Sequence, residues 1–198
     1  MKPASVIRGI AASAAAVFAF AAFAQQALVI KPLAERKVSE LPPGELYWRI
    51  ENLGSVAQAS AAAGPHALVA EAAGKTWLFT LGSAGGSTPE ATKVAEVGPI
   101  PRIAAQQYLL RINEASGPPG SVTTVHSHPG SEAFYVLAGE QSIRGSGGVV
   151  RVKPGQAEAG QGGDKAMQVS SSGNTDLHAL VMFVVDAGRS FSTPASLP

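Results

Sequence analysis

The sequence contains no cysteine. No disulfide staples the fold, thiolate catalysis is excluded, and no metal can be held by sulfur from Cys. Charge is also sparse. Only 15% of residues are Asp, Glu, Lys or Arg, and the formal net charge is +1, which makes no electrostatic case for nucleic acid. There is no repeat of 20–50 residues, so solenoids and propellers are excluded. Gly145-Ser146-Gly147-Gly148 reads as a hairpin turn rather than a nucleotide site. No serine nucleophile elbow, dinucleotide glycine fingerprint or zincin helix is present.

What the chain does have is apolar bulk and turn residues. Hydrophobic residues make up 45%, with 22 Gly and 14 Pro in 198 residues. That composition supports one packed domain and suits an all-β architecture. The first 24 residues stand apart. Lys2 and Arg8 precede an apolar run from Ile10 to Phe23, and Ala22-Phe23-Ala24 is a small-residue cleavage site. This pattern reads as a signal peptide, with Gln25 opening the mature chain and export to the periplasm or medium. A membrane anchor is the alternative, but the run falls short of the ~20 residues a span needs. Cleavage would remove two of the 15 bases and none of the 14 acids, leaving a net of −1. No membrane span remains after it.

Along the rest, strands alternate with turns. Leu28-Val29-Ile30 is a short strand, followed by a surface arm and the Leu41-Pro42-Pro43-Gly44 turn. Glu45 to Glu51 alternates, placing Leu46, Trp48 and Ile50 on one face. The Ala-rich stretch Gly54 to Ala63 is the one helix expected, capped by Ser55. His66–Glu71 and Lys75–Leu81 form a hairpin around Ala72-Ala73-Gly74, with Trp77 and Phe79 in the core. Lys93 to Val97 is a further strand that Pro99 and Pro101 break. From Ala105 onward come strands at Tyr108–Ile112, Val122–His128, Glu132–Ala138, Gln141–Arg144, Val149–Val152, Ala166–Ser170 and Leu177–Val185. Short strands at this spacing indicate a sandwich or barrel.

The chemistry concentrates in Gly120 to Gly139. Side chains alternate along a strand, so His126 and His128 share a face roughly 7 Å apart. Pro129-Gly130 makes a tight connection, so Glu132 begins the adjacent antiparallel strand and returns beside them. Two imidazoles and one carboxylate suit Fe, Mn, Zn, Ni or Cu and leave coordination positions open for substrate, water or O₂. The alternative is a pair of surface histidines in a turn. His66 and His178 read as surface or satisfied residues. Glu158 and Asp164 read as acids of a Gly-rich loop near the barrel mouth.

At these residues the chain resembles the cupin superfamily. Its first motif, G-x5-H-x-H-x3-E-x6-G, is met by Gly120, His126, His128, Glu132 and Gly139 without an insertion. The resemblance implies a double-stranded β-helix (jelly-roll) barrel, with His126, His128 and Glu132 as ligands of a divalent transition metal. It covers roughly residues 105–186. The implied organisation is a signal peptide at 1–24, N-terminal strands at 25–104 packing on a barrel core at 105–190, and an arm at 191–198. A homodimer pairing through sheet edges is also implied.

The second family motif, G-x5-P-x-G-x2-H-x3-N, would supply a fourth ligand, but no histidine is there. Counting from Gly155 puts Ala166 at that position; counting from Gly148 puts Ala159 there. Gln168, on the face of Ala166, and Met167, after a one-residue slip, are the candidate substitutes. Two functions are therefore in view. One is metal-dependent chemistry on a small molecule, of oxygenase, isomerase or lyase type. The other is a barrel that binds a small ligand or metal without turnover.

Overall fold

A computed structural model describes residues 26–198; the signal-peptide expectation for 1–24 lies outside the described residues. Fourteen strands and one helix form three stacked antiparallel sheets. In chain order they are β1 Val29–Val38, β2 Leu46–Leu53, α1 Val56–Ala62, β3 Ala67–Ala72, β4 Lys75–Gly82, β5 Thr92–Ile100, β6 Tyr108–Gly117, β7 His126–Ser127, β8 Gly130–Ala138, β9 Gln141–Gly145, β10 Gly148–Val152, β11 Ala157–Ala159, β12 Met167–Ser171, β13 Leu177–Asp186 and β14 Thr193–Pro194.

The middle sheet runs β1-β6-β13-β8-β11. One of its faces meets the sheet β10-β9-β12-β7-β14 and closes a jelly-roll barrel around Phe134, Val136, Ile143, Val169, Val181 and Phe183. The other face meets the sheet β3-β4-β2-β5 over Trp48, Trp77, Phe79, Ile112, Tyr135 and Met182. A strand buried on both sides needs apolar residues at every position rather than every second one. This explains the uninterrupted Ala179 to Val185 run of β13, all of it buried.

The outer sheet follows the alternation expected of it. Leu46, Trp48 and Ile50 are fully buried on β2. Ser55 caps α1, its hydroxyl accepting from the Gln58 N–H at 3.2 Å. Ala73 and Gly74 both take positive φ in the β3–β4 hairpin, the geometry of a tight two-residue turn. Trp77 stacks on Phe79 with ring centroids 6.2 Å apart.

Four expectations need correction. The first strand does not stop at Ile30. It continues to Val38 because the whole length pairs with β6, from Val29 opposite Ser116 to Val38 opposite Tyr108. Pro99 does not break β5, which extends to Ile100. β5 is an edge strand, so a residue without an N–H costs no ladder bond there. Val122 to His128 is not one strand. Only His126–Ser127 pairs continuously, with Val122 making isolated bridges to Ala27 and Ser170. Lastly, β7 and β8 are not neighbours in one sheet. The chain crosses between the two barrel sheets at His128-Pro129, so Glu132 faces the histidines from the opposite wall.

Candidate functional site

Gly120 and Gly139, the two ends of the first motif, both have positive φ, +85° and +71°. A side chain at Gly139 would also meet the Asp176 carbonyl at 2.6 Å. Glycine is required there by backbone geometry and by close approach.

Between them the middle sheet builds one wall of the site. Side chains directly opposite in a ladder share a face. Glu132 lies opposite Phe183, Phe183 opposite Arg111, and Arg111 opposite Glu35. This row runs across four strands on the barrel's inner face. The row beneath it is Phe134, Val181 and Asn113. The opposite wall carries His126, His128 and Val169. Glu132, Phe183, Phe134, Val181 and Asn113 from one wall and the opposite three residues line a cavity of about 230 Å³.

The two imidazole centroids are 4.9 Å apart with planes at 84°. The Nδ1–H of His126 donates to the Thr124 carbonyl at 2.8 Å, and that of His128 to the Phe191 carbonyl at 2.6 Å. Each bond fixes a tautomer and leaves Nε2 as the unprotonated nitrogen. Glu132 is 2% exposed and its Oε1 has no hydrogen-bond partner. Burial pushes its carboxyl up to about 8. His128 is pulled down to about 4, chiefly by burial, and further by its neighbours His126 and Arg111; its bond to Phe191 opposes this in part. At neutral pH the pair is therefore a carboxylic acid facing a neutral imidazole. The 4.0 Å between His128 Nε2 and Glu132 Oε2 is not an ion pair.

That separation also bears on metal binding. Ligand bonds of about 2.1 Å place neighbouring donor atoms roughly 3.0–3.4 Å apart. Among the described residues, no three His, Cys, Asp or Glu side chains are grouped closely enough to hold an ion as they stand. The donor types fit a metal nonetheless: two bare imidazole nitrogens and an orphaned carboxyl oxygen line one cavity. Gripping an ion requires His128 and Glu132 to draw together by roughly 1 Å.

The fourth-ligand candidates are corrected by the register of β12. Met167, not Ala166, faces inward opposite His126. Its side chain is buried in the barrel core and does not line the cavity. Gln168 points to the other side, its amide donating to the Thr123 carbonyl at 3.1 Å and lining an outer groove with Ala27 and Leu28. The inward residue at the cavity is Val169. His66 and His178 lie elsewhere, bonded to the Glu40 carbonyl and the Glu114 carboxylate. Glu158 is on β11 opposite Phe134, and Asp164 pairs with Arg189 at 2.6 Å on the surface.

Three site residues escape sequence reasoning. The Phe191 ring packs against His128 at 4.8 Å, tilted by 58°, and meets Phe183 edge-on at 4.9 Å. Arg111 lies 4.4 Å over the Phe191 ring, and its Nε–H donates to Asn113 Oδ1 at 3.0 Å. Asn113 and Arg111 alternate on β6, but an inward polar pair on a barrel strand has no periodic signal of its own.

Gly160 is packed against the site from below: a Cβ there would meet the Glu132 carbonyl at 2.6 Å and its Cγ at 2.8 Å. Gly160→Ala should cost about 1–3 kcal/mol by overpacking and shift Glu132. Chemical denaturation measures this, and a variant as stable as the parent would show that the contact yields.

Residues 115–183 match the family described as Cupin domain. No curated protein matches the chain. Three of the solved structures similar to it show the extent of the likeness. A cupin superfamily protein from Desulfitobacterium hafniense is 17% identical, over 39% of this chain and 68% of that one, with a TM-score of 0.35. A cupin-like protein from Thermotoga maritima is 16% identical, over 44% and 65%, with a TM-score of 0.40. A polyketide cyclase from Streptomyces resistomycificus is 21% identical, over 45% and 62%, with a TM-score of 0.37. The chain thus spans about two thirds of the length of each.

Proposed function

Through residues 115–183 the chain belongs to the cupin superfamily, and on that premise we propose that its cavity carries out metal-dependent chemistry on a small molecule. The observation that supports this is the coincidence of three donors in one cavity: two Nε2 atoms kept bare by backbone bonds, and a buried carboxyl with an unpartnered oxygen. His126, His128 and Glu132 would hold Fe, Mn, Zn, Ni or Cu, ions suited to this mix of nitrogen and oxygen. When bound, such an ion supplies a Lewis-acid position for the oxygen atoms of a substrate.

The remaining roles fall to the chain itself. Glu132 gives up its proton from the carboxyl as a cation enters, since the ionised form is otherwise unsupported by any partner. The Thr124 and Phe191 carbonyls hold the imidazoles in the donor tautomer. Phe134, Val181 and Phe183 exclude water and take the apolar body of the substrate. The reaction is of oxygenase, isomerase or lyase type. Export, from the 1–24 segment, and a homodimer belong to the same reading.

A second reading is a barrel that binds without turnover. The apolar Val169 on β12, where a fourth donor would stand, favours it.

Elemental analysis of protein purified without added metal tests the proposal. Stoichiometric metal is expected in the parent, falling to background in His126→Ala and His128→Ala. Full metal content in His126→Ala would refute the assignment. Turnover of candidate substrates, or oxygen uptake, by the loaded parent then separates catalysis from binding.

A further inference from the structure

The walls of the cavity are not equally fixed. Phe134, Val181 and Phe183 stand on strands paired on both sides. Ile30 lies on β1, paired along its length with β6. The Thr123 wall is tied to β12 by three bonds: Thr123 N–H to the Val169 carbonyl at 2.9 Å, Val169 N–H to Thr123 Oγ1 at 3.0 Å, and the Gln168 amide to the Thr123 carbonyl. The wall formed by Phe191 and Ser192 is different. It continues into β14, a two-residue edge strand paired only with β7, with Thr193 opposite Ser127 and Pro194 opposite His126. Both β14 residues are exposed, and Pro194 has no N–H to give. One further bond, from the Ala195 N–H to the Val125 carbonyl at 3.1 Å, completes the ladder. At the near end, Arg189 is tied by its surface pair with Asp164 and by a turn bond from its N–H to the Asp186 carbonyl at 3.3 Å.

A segment with few backbone bonds and little burial opens locally at low cost. Its one apolar anchor is the Phe191 ring, clamped between His128, Phe183 and the Arg111 guanidinium. Its main chain supplies the carbonyl that orients His128. Seating the segment therefore does two things together: it closes the cavity and sets the imidazole.

We infer that residues 190–195 form a strap that opens to admit ligands, and that Phe191 is the positioning residue coupling strap closure to the orientation of His128. The inference rests on the cavity being the working site proposed above. Its test needs neither metal nor substrate, so either idea can fail while the other stands.

The Ser127 and Thr193 hydroxyls lie 3.1 Å apart across the ladder, and the chain has no thiol of its own to interfere. Oxidised Ser127→Cys/Thr193→Cys protein should therefore lock the strap. The readout is carbethoxylation by diethyl pyrocarbonate, followed site by site by mass spectrometry, with His66 as internal reference. Locking should slow labelling of His128 about tenfold, reversibly on reduction, as expected where access requires local opening. Phe191→Ala should speed it about as much, and Phe191→Tyr should restore the parent rate. In nitrogen-15 spectra, Phe191→Ala should also move His128 away from a single tautomer, an effect that loss of packing alone would not produce. Equal His128 labelling in the oxidised and reduced double variant would overturn the inference. So would a retained single tautomer in Phe191→Ala.

Discussion

Metal-free protein should lose about 2 kcal/mol of stability between pH 6.5 and pH 8, and Glu132→Gln should abolish that loss. Two buried groups set this expectation. Glu132 has its carboxyl raised from 4.5 to about 8, so its contribution is complete below pH 4.5 and lost as pH rises through 8. His128 has its imidazole lowered from 6.5 to about 4, so its contribution is complete above pH 6.5 and lost as pH falls through 4. Between pH 4.5 and 6.5 the two slopes oppose and nearly cancel. Above 6.5 only Glu132 is still titrating, over 1.5 pH units at about 1.4 kcal/mol each. Urea denaturation of chelator-treated parent and variant, at half-unit pH steps, measures the difference. Parallel profiles would show that the carboxyl is not held neutral. With metal bound the loss should vanish. Glu132 must ionise to act as a ligand, so loading releases a proton; folded and unfolded states then both carry the carboxylate, and the profile flattens over the same range.

Trp77→Ala should cost about 3–5 kcal/mol, lowering the melting temperature by roughly 10 °C in a chain of this size. Trp77 is 1% exposed, its Nε1–H donates to the Ala72 carbonyl at 2.9 Å, and its ring meets Tyr135 of β8 edge-on at 6.3 Å. Its removal leaves a void between the outer and middle sheets. The chain has two tryptophans, and both sit in that interlayer core, so indole fluorescence reports it alone. In the parent, fluorescence and far-ultraviolet dichroism should give coincident melting curves, because the middle sheet is shared by both cores. Well-separated transitions, or a cost under about 1 kcal/mol, would mean the outer sheet contributes little.

Much of this architecture is legible in the sequence, for local reasons. The alternation of Leu46, Trp48 and Ile50 reports a half-buried strand wherever its partners lie. The spacing of His126, His128 and Glu132 within seven residues brings them into one cavity even though the chain changes sheet between them. What was not legible depends on pairing at a distance. Whether Met167 or Gln168 faces inward is set by register against His126 and Gly145, and a one-residue slip exchanges the faces. Phe191 meets His128 across 63 positions, from a segment whose strand is two residues long. That is too short for any period to show. Pro99 reads as a strand breaker until β5 is seen to be an edge.

The doubly buried middle sheet has a bearing on solubility. Leu110, Ile112, Tyr135, Leu180, Met182 and Val184 form the outward face of the barrel, and all are buried only because β2, β4 and β5 cover them. The segment 115–183 that carries the family match includes three of these residues, Tyr135, Leu180 and Met182, and none of their cover. Excised from residues 26–104, it would present a contiguous apolar face to water, of the kind that drives association. It would also lack β1, the strand that completes the edge beside β6. The unit that keeps this face covered is therefore larger than the segment that matches the family.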